Sequence, residues 1–135
     1  MQTDNDNNSS CLLRIKGNNF DILLTGDIEW AAEYELIQRS IGRVDLITVP
    51  HHGSHSSSSP ALLNHLMPRQ AIIASGYQNA FGHPSAIVVK RYQSRHIDLL
   101  NTATSGSAVY RASGDGVVLI AEALPLQNRF WQYPR

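Results

Sequence analysis

Short runs of apolar residues alternate along the chain with segments in which apolar positions recur every three or four residues, the pattern of buried strands separated by amphipathic helices. Residues 11–16 ("CLLRIK") and 20–25 ("FDILLT") read as two strands turned by Gly17, Asn18 and Asn19. Residues 29–39 place Trp30, Ala31, Tyr34 and Ile37 at helical spacing, with glutamates early and Arg39 late, as a helix dipole prefers. A short buried strand is expected over 44–49. A helix capped by Ser59-Pro60 follows and runs to about Leu66, since proline suits the first helical position. "QAIIASG" is a further buried strand, "YQNAFGHPS" a loop and 84–95 a helix. "IDLLNT", "AVYRA" and "GVVLIAE" make a strand-rich end with turns at Ser105-Gly106 and Gly114-Asp115-Gly116. The alternation predicts an α/β layered domain with a partly mixed sheet.

At 135 residues with 42% hydrophobic content and two Trp, the chain is long enough for one domain with a real core. Eleven Lys+Arg balance eleven Asp+Glu, so no global field draws in a polyanion, and only a local patch could. The single cysteine, Cys11, cannot form an internal disulfide and is expected to be a buried thiol in its apolar run. No run approaches the roughly 18 apolar residues of a membrane-spanning helix. The polar start "MQTDNDNNSS" lacks the pattern of a signal peptide, and this piece is expected to be soluble.

Three polar groups fall where a buried strand gives way to a loop: Asp27, the pair His51/His52, and His83. That edge is where α/β folds build sites. Asp27, after Gly26, is either a carboxylate aimed at a metal or polar substrate or the N-cap of the following helix. If the backbone at His51 and His52 were extended, their side chains would point to opposite sides, one ligating or touching substrate and the other orienting the loop. Gly53 and Ser54 allow a sharp turn with a hydroxyl and N–H groups suited to an oxyanion, against the alternative of a solvated polar loop. His83 precedes Pro84, which holds it extended and could aim its imidazole, although it could equally stand in for a helix N-cap. His55, His65 and His96 read as ordinary histidines, and Asp45 and Asp115 as strand-start and turn residues. One aspartate with two or three histidines is half of a two-metal hydrolytic set.

"NNSSCLLRI", "ILLTGD", "VDLITVPHHGSHSSSS", "ASGYQNAFGHP" and "GSAVYRASGDG", in this order across nearly the whole chain, resemble the C-terminal metallo-β-lactamase-fold domain of ComEC-type DNA-internalisation competence proteins. The resemblance implies an αββα sandwich with a metal site at one sheet edge. It implies Asp27 as a carboxylate shared between two metals, His83 as a metal ligand, and His51 and His52 as the active-site pair, one of them near the scissile phosphate; with Ser54 of the adjoining turn, these two are the candidate catalytic residues. Zinc or manganese is the implied metal and phosphodiester hydrolysis of the non-transported DNA strand the implied reaction. The implied home is the bacterial inner membrane, with the domain on the extracytoplasmic side of a parent protein that carries the membrane channel. The family's main metal motif, which belongs to the first half of the fold, has no counterpart before Asp27. The expected organisation is therefore a polar leader over 1–10, the second half of such a domain over 11–125 and a tail over 126–135. Such a piece is expected to be inactive alone, with the remaining half as partner. Two other readings stay open: a non-catalytic fragment that self-associates or docks on a partner, and a hydrolase of a phosphocholine ester, a lactone or another ester.

Overall fold

The computed structural model of the chain describes residues 6–123. A five-stranded sheet runs in the order β1 (Leu13–Lys16), β2 (Asp21–Leu24), β3 (Leu46–Thr48), β4 (Gln70–Ile73) and β5 (Asp98–Asn101). β1 pairs antiparallel with β2, pairing Lys16 with Asp21 and Leu13 with Leu24, and the remaining strands are parallel. The crossovers carry α1 (Trp30–Gln38), α2 (Pro60–Leu66) and α3 (Ala86–Gln93). Right-handed crossovers between strands laid down in sequence order put successive helices on one face. One buried cluster accordingly joins Leu36, Leu62, Leu63, Leu66, Val88 and Tyr92 of the helices to Leu23, Ile47, Ala71 and Ile73 of the sheet. After α4, a single turn (Thr102–Ser105), β6 (Ser107–Ser113) and β7 (Gly116–Ala123) form an antiparallel hairpin. Its inner side covers the other face of the sheet, where Ile22, Leu46 and Val117 are buried with Phe20, Ile72, Tyr110 and Ala112 against them. The result is a mixed α/β sandwich: helices, five-stranded sheet, two-stranded hairpin.

Three expectations change. Cys11 is exposed. It precedes β1, an edge strand on which Leu13 and Ile15 are also exposed, so none of the described residues covers its apolar run. In α1 the inward face is Glu33 and Leu36, with Ala32 and Ile37 packed against the core, whereas Trp30 and Tyr34 of the expected stripe lie outside. Ser105-Gly106 ends the one-turn helix α4 rather than forming a simple turn. Ser59 caps α2 as expected, its hydroxyl accepting from the Leu62 N–H at 3.1 Å. The expected tail over 126–135 lies outside the described residues.

Candidate functional site

Asp27, His51/His52 and His83 follow the C-terminal ends of β2, β3 and β4, three neighbouring parallel strands, so the sheet itself brings them to one edge. Backbone hydrogen bonds then lock the loops together. His51 donates its N–H to Gly26 O (3.1 Å), Ser85 to Gly53 O (2.9 Å), and Asp27 to Ser10 Oγ (3.1 Å). Gly53 is required here, with φ +83° and a position where an added Cβ would lie 2.6 Å from Pro84 Cβ. His83 and Pro84 are joined by a cis peptide bond.

The histidine pair is not extended. His51 (φ 48°, ψ 44°) and His52 (φ 53°, ψ 19°) are both left-handed within the turn Pro50–Gly53, and the expected alternation of sides does not apply. Each ring instead meets its own acid. His52 Nε2 lies 3.4 Å from Asp27 Oδ1, and His51 Nδ1 lies 3.0 Å from Glu29 Oε1, out of line for a hydrogen bond. The His51 ring stands edge-on to both neighbours, with centroids 6.5 Å from His52 and 5.8 Å from His83. Asp27 is not the cap of α1. Glu29 occupies that position without a side-chain cap bond, and Asn8 Oδ1 accepts from the Glu29 and Ala32 N–H groups in its place.

Glu29, one of the early-helix glutamates of the sequence pattern, joins the candidate site as a residue that the pattern alone does not single out. Its Oε1 accepts from Ser56 Oγ (3.0 Å) and Asn7 Nδ2 (3.2 Å). Burial pushes its carboxyl upward, but the hydrogen bonds from Ser56 and Asn7 and the neighbouring His51 more than offset this and hold it below the ordinary range. The spacing Asp27-x-Glu29 behind a strand end was the available signal. Ser54 is buried, its hydroxyl 3.0 Å from Ser56 Oγ, which places it in the chain Ser54–Ser56–Glu29 behind the rings. His83 is held by Asn79, whose Oδ1 accepts from the His83 N–H and whose Nδ2 donates to the His83 carbonyl. Desolvation first, then the nearby His51, His52 and His55, lower the His83 pKa below its ordinary value.

His52 carries the most specific geometry. Its Nδ1 lies 2.6 Å from the carbonyl of Ala74, which can only accept, so Nδ1 holds the proton. In the neutral ring Nε2 then turns a lone pair toward a carboxylate. Two acceptors at that distance require a cation between them or a proton on Nε2. A ring N–H tied to a backbone carbonyl is also how metal-ligating histidines are oriented, and two donors about 2.0–2.1 Å from one tetrahedral zinc sit about 3.3–3.4 Å apart. Asp27 and His52 thus fit as two donors. Among the described residues, no group of three or more His, Cys, Asp or Glu side chains is arranged to hold a metal ion.

Comparison with known proteins bears on the same region. Competence protein ComA of Neisseria gonorrhoeae is 35% identical over 129 residues, 94% of this chain and 18% of that protein. The chain is homologous to a segment of a competence protein. Recombination protein 2 of Haemophilus influenzae is 38% identical over 101 residues (75% of this chain, 13% of that protein), and ComE operon protein 3 of Bacillus subtilis 34% over 106 (78% and 14%). The chain therefore spans less than a fifth of the length of these homologues. No family model matches it. Among the described residues no helix is long and apolar enough to cross a membrane.

Proposed function

We propose that the chain is a segment of a DNA-uptake protein of the bacterial inner membrane, and that its histidine edge is one side of a metal-dependent site for phosphodiester hydrolysis. The homology to competence and recombination proteins supports the DNA-uptake reading. The observation that carries the hydrolytic reading is the facing of His52 Nε2 and Asp27 Oδ1 with the His52 proton committed to Ala74. A zinc or manganese ion in the complete site would stabilise developing charge on phosphate oxygens and lower the pKa of bound water.

This chain's residues would do the rest. Asp27 and His52 supply two donors, and His83, whose pKa its surroundings lower, stands at the same edge against the His51 ring. His51, with the Glu29 carboxylate 3.0 Å from its Nδ1, is the group that would take or give a proton at a phosphate oxygen or the leaving oxygen. Ser54 acts through Ser56 and Glu29 rather than on substrate. The remaining donors would come from the rest of a metallo-β-lactamase-like domain, so the chain alone is expected to bind metal weakly and to turn over little.

Calorimetry with zinc and with manganese tests this. The chain should bind with modest affinity, and Asp27→Ala and His52→Ala should each lose at least about tenfold, the range for removing a ligand or its support. Unchanged affinity in both variants would sink the assignment. In the full-length protein, Asp27→Ala should abolish metal-dependent cleavage of a DNA strand.

A further inference from the structure

Phe81 is 82% exposed, the most exposed of the large hydrophobic side chains among the described residues. Isolated exposed apolar residues are common and carry no message by themselves. Phe81 differs in what it touches: its ring lies nearly parallel to that of His83, at an interplanar angle of 21° with centroids 5.9 Å apart. With so much of the side chain in solvent, it extends the surface of a site histidine outward as a flat apolar platform.

The loop does not use Phe81 to fold. It is built around Asn79, which donates to Gly76 O and His83 O, accepts from the His83 N–H and offers its own carbonyl to the Gly82 N–H. Phe81 belongs to neither buried cluster. A large apolar ring held out of the core and stacked on a histidine of the candidate phosphate site offers a flat face to a planar group. The zero net charge of the chain gives no general attraction for a polyanion, so affinity for a strand would have to come from contacts of this kind.

We propose that Phe81, stacked on His83, is a platform for one unpaired base of a single nucleic-acid strand, setting the adjacent phosphate against the His51, His52 and His83 rings. The inference rests on the phosphodiester reading of that edge and adds what the strand must present: an unstacked base next to the phosphate. A duplex, whose bases are already stacked, cannot use the platform. Because every base has a flat face, the preference is for single strands and not for sequence.

The test is fluorescence anisotropy of the full chain with a labelled oligothymidylate, an abasic phosphodiester oligomer of equal length, and the matching duplex, at one fixed low salt concentration. Parent protein should bind the oligothymidylate roughly five- to 150-fold more tightly than the other two, the span that base–aromatic stacking supplies. Phe81→Ala should bring oligothymidylate down to the abasic level while leaving abasic binding and circular dichroism unchanged, and Phe81→Trp should restore the preference. A preference that is absent in the parent, or that survives in Phe81→Ala, overturns the platform. In that event abasic binding that is still lost in His51→Ala and His83→Ala keeps the phosphodiester reading alive, whereas no binding of any oligomer by the parent removes both.

Discussion

Two consecutive histidines in the left-handed region cost about 1–2 kcal/mol each against an ordinary backbone, and they hold because the surrounding loops over-determine them. His51 is tied at its N–H to Gly26 and at its carbonyl to Ser54, while Ser57 Oγ donates to Pro50 O at 2.7 Å. Glycine would adopt these angles without that cost. His52→Gly is therefore expected to match or exceed the parent in urea-melt stability, by up to about 1 kcal/mol, while losing metal binding. A clear loss of stability would mean that the His52–Ala74 bond outweighs the strain. At His83 the folded-state pKa lies below the ordinary value, so the unfolded chain takes up a proton first as pH falls. Its effect is nil well above the ordinary histidine pKa. Stability is lost as pH drops from there through the lowered folded-state value. NMR titration should give the His83 ring a midpoint below the ordinary histidine value, and His83→Gln should flatten part of the acid-side decline in stability.

The serine run that follows the histidines is held by three side chains from two helices. Glu33 of α1, fully buried, accepts from the Ser58 N–H and from the Ser59 N–H at 2.8 Å. Arg91 of α3 donates to the Ser57 and Ser58 carbonyls, and the buried Tyr92 hydroxyl lies 3.1 Å from Ser58 Oγ. Burial pushes the Glu33 carboxyl above its usual range, and the hydrogen bonds from Ser59 and Ser58 and the nearby Arg91 charge oppose this. This clamp explains why α1 turns Glu33 inward and leaves Trp30 outside, its ring 5.6 Å from the Arg91 guanidinium carbon. Glu33→Ala strands two N–H groups in the interior and should cost about 2–4 kcal/mol by denaturant melting, with Glu33→Gln costing less because one acceptor survives. If Glu33→Ala were within about 0.5 kcal/mol of the parent, water would have to reach Ser58 and Ser59, and the clamp would carry no weight.

Across the whole molecule, the two faces of the sheet are covered unequally. Among the described residues, three helices close one side, whereas on the other the hairpin is a single layer whose outer residues Val109, Val118 and Ile120 are about half exposed. An apolar strand surface of this kind favours association. This observation supports the second reading of the chain as a docking or self-associating module, and the two readings are compatible, since the hairpin does not include the histidine edge. Light scattering of the purified chain should show a concentration-dependent rise in mass that Val118→Lys with Ile120→Lys reduces. A monomer at all concentrations would argue that the face needs no partner.

The order and type of the main elements were legible in the residues alone, because periodicity, Gly and Pro turns and the Ser59 cap are local signals that short-range sterics enforce. It also placed Asp27, His51, His52 and His83 at strand ends, and parallel pairing of β2, β3 and β4 turned that into one edge. Tertiary structure decided what local pattern cannot encode. Whether Trp30 or Glu33 of α1 faced inward depended on a serine loop 25 residues away supplying the N–H groups that make a buried carboxylate tolerable. The exposure of Cys11 depended on its place ahead of an edge strand. The pairing of each histidine with a separate acid depended on left-handed angles that only the packed loops sustain, which is why Glu29 went unread until the chain was folded.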